Sequence, residues 1–212
     1  SLFRSRVLVC VPGSITGVEE RAIVNAVIEA GGRKVYLVPS AVATAVGAGL
    51  DVNRPDGHMI IDIGGGTTDV AVVSMGGVVE CESIKTAGYS FDEAIIRYIK
   101  KKHNLLIGER TAEELKISIG GIELKGGIDS YEEVKGRDLM TGLPKTVEVR
   151  SSEFVEVLRE PASLILESVH AVLERTPPEL IGDLADNGII MSGGGSMIFG
   201  MDSLVEKSTG IS

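Results

Sequence analysis

The chain has no tryptophan and little cysteine or histidine. Its two cysteines, Cys10 and Cys81, lie in apolar, strand-like runs without metal-ligand spacing, and its three histidines are scattered. This pattern argues against a disulfide framework and against a zinc site. We therefore expect two reduced thiols in the core and assign no role to the histidines.

The sequence also lacks an excess of positive charge and long apolar runs. With 21 Lys and Arg against 30 Asp and Glu, the net charge is −9, so we expect no nucleic-acid partner. No run approaches the length of a membrane span and no signal peptide is recognisable, which favours a cytoplasmic location. A local phosphate site is still compatible with this charge, because backbone N–H groups and a metal ion can bind anions.

The length of 212 residues suffices for one large domain or two small ones with a real core. The chain begins abruptly, because Ser1–Arg6 leads directly into a core-like strand. It also stops at Thr209–Ser212 without a closing element. We interpret both ends as those of an excised fragment.

The first quarter of the chain alternates strands and helices. The run Val7–Val11 is continuously apolar and is followed by Pro-Gly, which is typical of a strand buried on both faces. A small, apolar segment at Ala41–Leu50 is typical of a helix packed closely on a sheet. The predicted elements indicate an α/β layout: a strand at Val7–Val11, a helix from Thr16 or Gly17 to about Ala30, a strand at Val35–Val38 and a helix at Ala41–Leu50.

The rest of the chain continues this layout with one change of character. Between Gly120 and Val149 the sequence is rich in Gly, Lys and Glu and has no helical period, which predicts a small inserted subdomain containing β structure. The other predicted elements are three adjacent strands at His58–Ile63, Val70–Ser74 and Val78–Ile84, helices at Gly88–His103 and Thr111–Ile119, a strand at Lys145–Arg150, helices at Ser151–Arg175 and Pro177–Asp186, a strand at Gly188–Ser192 and a helical tail.

The richest chemistry lies between the first two of the three adjacent strands, at Asp62–Asp69. Three glycines allow a ligand to approach the main chain, and consecutive N–H groups with the hydroxyls of Thr67 and Thr68 can hold phosphate oxygens. The carboxylate of Asp62 can hold hydrated Mg²⁺ or orient a water. A plain hairpin is the alternative, but such a turn usually needs one glycine. The segment is not a P-loop, because no Gly-Lys-Ser/Thr follows.

A second glycine cluster occurs at Met191–Ser196, between an apolar strand and a helix. A strand, a glycine turn and a helix N-terminus together form a common nucleotide contact. Such turns are frequent, so this cluster alone is a weak signal. Each of the two glycine turns strengthens the other, because both directly follow a buried strand.

These motifs resemble those of a known superfamily. The segment Asp62–Asp69 resembles the second phosphate loop of the actin superfamily, which includes sugar kinases and heat-shock chaperones, and Met191–Gly195 resembles its adenosine loop. Four further stretches narrow the resemblance to the bacterial actin-like rod-shape proteins of the MreB and Mbl family. These stretches are Val11–Ile23, Ile107–Lys116, Gly136–Lys145 and Glu174–Leu180. The resemblance extends over essentially the whole chain.

The resemblance implies a ribonuclease-H-like, actin-type ATPase fold, with a mixed sheet, helices on both faces and a small inserted α+β subdomain. It implies subdomain borders as well. Residues 1–55 would be the later part of subdomain IA, 56–119 the first part of IIA, 120–150 the inserted IIB and 151–212 the second part of IIA.

The resemblance also implies ATP and Mg²⁺ as cofactors, bound by particular residues. Asp62 would hold Mg²⁺-bound water, and Glu113 and Lys116 would meet the ribose and adenine. For these last two, an ordinary solvated helix face with an i,i+3 ion pair is the alternative. The implied loop residues are Gly64, Gly65, Gly66 and Thr67 for phosphate and Gly193, Gly194 and Gly195 for adenosine.

Two departures from the family pattern bear on catalysis. The family's opening strand and first phosphate loop are not found in these residues, so we expect the fragment to bind Mg-ATP weakly or not at all. Ser40 stands where the family carries a Glu that activates water. A serine is a poor base, which suggests that the parent protein hydrolyses ATP slowly. A helix N-cap is the alternative role for Ser40, and we favour it.

The function implied by the resemblance is that of a cytoskeletal filament protein. Such a protein would self-associate at the inner face of the cell membrane and guide the cell-wall elongation machinery. A chaperone-type ATPase and a sugar-kinase-type ATPase of the same superfamily are the alternatives. The chaperone would need a substrate domain and the kinase a second-substrate pocket, and neither is visible in the sequence.

Overall fold

The computed structural model describes residues 5–212. The strands are β1 (Arg6–Val11), β2 (Lys34–Pro39), β3 (His58–Ile63), β4 (Thr68–Ser74), β5 (Gly77–Ile84), β6 (Leu105–Leu106), β7 (Tyr131–Asp138), β8 (Pro144–Arg150) and β9 (Ile189–Ser192). The helices are α1 (Gly17–Glu29), α2 (Ser40–Gly47), α3 (Gly88–His103), α4 (Glu109–Ser118), α5 (Ser151–Arg175), α6 (Pro178–Asn187) and α7 (Met201–Thr209). The expected α/β class is confirmed, and each predicted strand and helix is present with small shifts of its ends.

The described chain divides into two compact units. The first contains the described residues up to Asp62, together with Asp69–Ser83 and Ala171–Ile190. The second contains Ile63–Thr68, Ile84–His170 and Met191–Ser212. Among residues 5–212, no helix combines the length and the apolar character needed to cross a membrane.

In the first unit, β1 and β2 form a two-stranded parallel sheet. The prediction that β1 is buried on both faces is wrong, because Leu8 is 63% exposed and Cys10 is exposed. The expectation of two core thiols therefore fails for Cys10, although both cysteines are free. Helix α1 begins as expected: the Thr16 hydroxyl accepts the N–H of Glu19, and the Glu19 carboxylate accepts the N–H of Thr16, which satisfies two helix-end donors.

The larger sheet has the strand order β5-β4-β3-β9. Its central strands are buried on both faces, as the accessibility of consecutive residues such as Ile60, Ile61, Val72 and Val73 shows, since each is 0% exposed. A long buried apolar run predicts such a strand. On one face, α2 packs its small residues onto the sheet, and the cluster consists of Ala41, Ala45, Val52, Ile60, Ala71 and Val73.

In the second unit, α3 and α4 are adjacent and carry the side chains discussed below. Helix α3 ends at Asn104, whose φ of 52° places it in the left-handed region that closes many helices. Four basic residues precede this end, where the helix dipole favours positive charge. The end of α3 could therefore be predicted from sequence.

The second unit also contains a three-stranded antiparallel sheet of order β6-β7-β8. Strand β8 was expected, whereas β6 and β7 were not. The turn between β7 and β8 is ordered by Asp138, whose Oδ1 accepts the N–H groups of Met140 at 2.8 Å and Thr141 at 3.0 Å. The hydrogen bond from Thr141, with those from Lys145 and Met140, lowers the pKa of Asp138 to about 2. The subdomain borders implied by the resemblance stay predictions.

Candidate functional site

The first glycine cluster forms a tight turn between β3 and β4. The Gly64 N–H donates to the Thr67 carbonyl at 2.9 Å and closes the turn. One expected phosphate contact is wrong: the Thr68 hydroxyl is not available, because Thr68 is 0% exposed and donates to the Thr86 carbonyl at 2.6 Å. The turn that can meet a ligand is therefore Gly64–Thr67.

The start of α3 holds this turn from the side. The N–H of Gly88 donates to the Gly64 carbonyl at 3.0 Å, and the N–H of Tyr89 donates to the Gly65 carbonyl at 2.8 Å. A helix leaves its first N–H groups without partners inside the helix. Here two of them are used to fix the glycine turn, so the turn and α3 form one rigid assembly.

The second glycine cluster forms the short 3₁₀ turn Gly194–Met197, after β9. A Cβ on Gly195 would collide with Cγ2 of Ile63 and lie 3.1 Å from the Ile63 carbonyl oxygen, so glycine is the residue that fits beside Ile63 at this close approach. Gly194 differs, because a Cβ there would meet no atom within 4 Å. Gly195 is therefore needed for the packing against Ile63, whereas the space beside Gly194 is open.

Both glycine turns border one cavity of about 520 Å³ in the second unit. Its volume is in the range of small-molecule sites, which usually span about 300–1,000 Å³. Six of the expected site residues line it, namely Gly64, Gly65, Glu113, Lys116, Gly194 and Gly195. The expected residues Gly66, Thr67 and Gly193 belong to the same turns but do not line the cavity.

Lys116 has different partners from those expected of a solvated helix face. Its Nζ lies 2.8 Å from Asp92 Oδ1 and 3.2 Å from the Gly88 carbonyl oxygen. The side chains of Lys116 and Asp92 are only 11% and 7% exposed. Burial raises the pKa of Asp92, and the hydrogen bond and charge of Lys116 act against that rise. The i,i+3 pair with Glu113 is not formed. Glu113 faces open space, and it lines this cavity and a second one of about 410 Å³.

Asp62 lies in the first unit, at the end of β3, and Asp69 lies near the start of β4. Burial raises the pKa of Asp62, and the negative charge of Asp69 raises it further. Oδ1 of Asp69 is buried and has no hydrogen-bond partner among the described residues. Two carboxylates with an unmet buried oxygen form a hard-oxygen donor set for a cation.

The donor set fits Mg²⁺ better than a metal that needs a full protein cage. Within residues 5–212 there is no group of three or more His, Cys, Asp or Glu side chains arranged to hold a metal. Magnesium in phosphate sites is usually held by one or two carboxylates with waters and phosphate oxygens. The two carboxylates of Asp62 and Asp69 meet that requirement.

Ser40 also lies in the first unit, and its favoured role as a helix N-cap is wrong. The N-cap of α2 is Pro39, and Ser40 is the first helical residue. Its hydroxyl donates to the Val11 carbonyl at 3.1 Å, which ties α2 to the end of β1. The hydroxyl thus has a structural partner, and its expected catalytic role stays a prediction.

Several cavity residues were not expected from the sequence. Tyr89 and Gly88 follow β5 at the start of α3, in the same strand-to-helix arrangement that made the second glycine cluster noticeable. This arrangement could have identified them. Lys125, Ile117, Met197 and Phe199, which also line the cavity, carry no recognisable sequence signal.

The architecture is that of the actin-like ATPases. It matches the crystal structure of MreB 5 of Spiroplasma citri bound to AMPPNP with a TM-score of 0.91 and 41% identity, over 96% of this chain and 61% of that one. The same protein bound to ADP gives a TM-score of 0.92. The MamK double helical filament, at 21% identity over 96% of this chain and 60% of that one, has a TM-score of 0.77 and supports the fold alone.

The chain belongs to the MreB/Mbl family, whose model matches residues 1–212. The cell shape-determining protein Mbl of Bacillus cereus is 48% identical over 96% of this chain and 61% of its own length. The cell shape-determining protein MreB of Escherichia coli K12 is 45% identical over 97% of this chain and 59% of its own length. The resemblance drawn from the motifs is thereby confirmed. The chain spans about three fifths of the length of these relatives.

Proposed function

We propose that the full-length protein is an actin-like, ATP-binding cytoskeletal protein that polymerises into filaments and directs cell shape. One observation carries the proposal: the turn at Gly64–Gly65, the cavity-facing residues of α4 and the turn at Gly194–Gly195 border a single cavity of about 520 Å³. The relatives' names and the nucleotides in the MreB 5 structures support the same role.

Each part of the cavity has a role in this proposal. The N–H groups of Gly65, Gly66 and Thr67 bind phosphate oxygens, as main-chain anion sites do. Glu113 and Lys116 lie on the side of the ribose and base, and Gly193–Gly195 close the opposite side. The apolar residues Ile117, Met197 and Phe199 supply the surface that a purine base requires.

Asp62 holds the magnesium-bound water in this proposal, with Asp69 beside it. When bound, Mg²⁺ neutralises the phosphate charge that would otherwise oppose binding beside carboxylates. Ser40 occupies the position of the water-activating carboxylate, and its hydroxyl donates to Val11. A serine is a poor base near neutral pH, so hydrolysis is slow in this proposal.

The subdomain borders complete the proposal. Residues 1–55 belong to subdomain IA, 56–119 and 151–212 to IIA, and 120–150 to the inserted IIB. The filaments assemble at the cytoplasmic face of the membrane and guide the cell-wall elongation machinery. Membership of the MreB/Mbl family favours this class over a chaperone-type or sugar-kinase-type ATPase.

The cavity assignment is tested by filling it. Gly194 lines the cavity and a Cβ there would meet no atom within 4 Å, so Gly194→Leu should fold and occupy ligand space. We expect the variant of the full-length protein to lose most of its affinity for AMPPNP in titration calorimetry. Gly182→Leu is the matched control, because its Cβ is equally free and it lies in α6, outside the cavity. AMPPNP binding by Gly194→Leu at wild-type affinity would refute the assignment.

The filament proposal is tested by electron microscopy of the full-length protein. Filaments or sheets are expected with ATP and not without nucleotide. Gly194→Leu should assemble poorly with ATP, since assembly is expected to depend on the occupied cavity. Monodisperse particles of the wild type under all conditions would instead favour the chaperone-type or kinase-type alternative.

A further inference from the structure

The ammonium group of Lys116, on α4, makes two contacts with α3. One is the ion pair with Asp92 on α3, at 2.8 Å, and the other is the hydrogen bond to the Gly88 carbonyl oxygen, at 3.2 Å. The side chains of Lys116 and Asp92 are nearly buried, with 11% and 7% of their surfaces exposed. A buried lysine loses much of its rotational freedom when its donors are used in this way. Asp92 therefore fixes where the ammonium group points.

The Gly88 carbonyl belongs to the same peptide unit as the Tyr89 N–H. That N–H donates to the Gly65 carbonyl at 2.8 Å, on the glycine turn. A peptide unit is planar, so its carbonyl and its N–H cannot turn independently. The hydrogen bond from Lys116 on one edge of the unit thus fixes the direction of the N–H on the other edge.

From these contacts we infer that Asp92 is a positioning residue for the phosphate-binding turn. Asp92 holds Lys116, Lys116 holds the Gly88–Tyr89 peptide, and that peptide holds Gly65. This inference rests on the proposed nucleotide site, but it assigns Asp92 no contact with the nucleotide. Asp92 should therefore affect affinity for the phosphate groups more strongly than affinity for the nucleoside.

The test uses Asp92→Asn in the full-length protein and three ligands, AMPPNP, ADP and adenosine, in titration calorimetry. Loss of one charged hydrogen-bond partner predicts about tenfold weaker binding of AMPPNP and ADP. Adenosine affinity should fall clearly less than AMPPNP affinity, because adenosine carries no phosphate group to meet the glycine turn. Glu156→Gln is the matched control, because it removes an exposed carboxylate that pairs with Arg159 at 2.7 Å on α5. Its affinity for all three ligands should equal that of the wild type.

A second readout follows the peptide itself. Amide hydrogen exchange at Tyr89 should accelerate in Asp92→Asn, since its hydrogen bond to Gly65 is no longer held in direction. Exchange at buried amides of β4 should be unchanged. A general loss of structure would accelerate both, and that result would overturn the positioning role.

The outcomes separate this inference from the proposed function. Wild-type affinity for AMPPNP in Asp92→Asn overturns the inference, and so does an equal loss for adenosine. If Asp92→Asn does not fold, the double variant Asp92→Asn/Lys116→Met removes both buried charges, and it should bind AMPPNP weakly and show faster amide exchange at Tyr89. Wild-type AMPPNP affinity in that variant also overturns the inference. Failure of the wild-type protein to bind any of the three ligands overturns the proposed function, and the inference with it.

Discussion

Asp62 is partly buried and Asp92 is buried, and the charges beside these two carboxylates have opposite signs. Burial raises the pKa of both. Beside Asp62 the negative charge of Asp69 raises the pKa further, whereas beside Asp92 the ammonium group of Lys116 opposes the rise. The first carboxylate therefore lacks a counter-charge, and the second already has one.

In the proposed function, this difference separates a carboxylate that binds a ligand from one that stabilises the packing of two helices. Two like charges that lie close together are unfavourable until a cation or a proton binds. Paired carboxylates therefore favour the binding of a metal ion. A buried pair of opposite charges is stable only while both partners are present. In the proposed function, Asp62 thus serves binding in one unit, whereas Asp92 stabilises the packing of the other.

The largest expected effect comes from Lys116→Met, which leaves Asp92 buried without its counter-charge. Breaking a buried ion pair from one side should lower the free energy of unfolding by about 3–5 kcal/mol. Urea unfolding of the full-length protein at neutral pH measures it. The loss should shrink as the pH is lowered, because the raised pKa of Asp92 lets the carboxyl take up a proton.

Arg97→Met on α3, the helix that carries Asp92, is the control. Its pair with Glu93 has an N–O distance of 3.7 Å and side chains 61% and 70% exposed, so the change should be below about 0.5 kcal/mol. Equal effects of the two substitutions would contradict the distinction between the two aspartates.

Glu153 sharpens the comparison, because this carboxylate is surrounded by donors. It accepts hydrogen bonds from Tyr98, Lys102, His103 and the Arg150 N–H, at 2.9–3.0 Å. Burial acts to raise its pKa, but the four hydrogen bonds together outweigh burial and lower it from 4.5 to about 2. The folded-state pKa lies below the unfolded value, so the stabilisation is present above pH 4.5 and is lost as the pH falls toward 2.

Glu153→Gln should therefore cost about 1–3 kcal/mol at neutral pH and flatten the loss of stability in acid. Unfolding measured in steps from pH 7 to pH 3 checks both expectations. Glu156→Gln, an exposed change on the same helix, should leave the acid dependence as it is in the wild type. An unaltered acid dependence in Glu153→Gln would disprove the assignment.

A smaller effect is expected at Ser40, where the family resemblance would place another carboxylate. Ser40→Ala removes the hydrogen bond to the Val11 carbonyl and should cost about 1 kcal/mol, whereas Ser40→Thr keeps the hydroxyl and should cost less. Ser40→Glu should speed phosphate release from ATP in the full-length protein. Unchanged phosphate release would refute the idea that Ser40 slows hydrolysis.

The smallest change in stability is expected for Asp62→Asn, and it has the opposite sign. Removing one of two like charges should raise the free energy of unfolding by up to about 0.5 kcal/mol in the absence of Mg²⁺. The variant should also lose the stabilisation that Mg-AMPPNP gives the wild type, which thermal unfolding measures. Asp56→Asn, which breaks an exposed pair with Arg54, is the control and should slightly destabilise. Retained stabilisation by Mg-AMPPNP in Asp62→Asn would refute the metal role.

Local signals decided what could be predicted from sequence. The bounds of α3 were predicted from its amphipathic pattern, and the left-handed Asn104 supplies the local reason for its end. The start of α1 was predicted because Thr16 can cap a helix and acidic residues follow in its first turn. At the start of α5 the position was right but the partner was not visible. Asp129 accepts the Ser152 N–H at 2.8 Å from far along the chain.

Weak local signals and long-range contacts account for the elements and contacts that were not predicted. Two residues are too few to show a strand period, so β6 was not predicted, and β7 is half-exposed and charged. In the site, the glycine turns were recognisable because their composition is unusual. The pairing of Lys116 with Asp92 was not, because it joins two helices whose packing has no sequence signature.

The contact between Gly195 and Ile63 has a consequence for the family's history. Because a Cβ at position 195 would collide with Cγ2 of Ile63, the residues at these two positions cannot change in size independently. A larger residue at 195 is tolerable only where a smaller one already stands at 63. The sizes of the residues at positions 63 and 195 should therefore covary among related sequences. An engineered substitution at one of these positions requires a compensating substitution at the other.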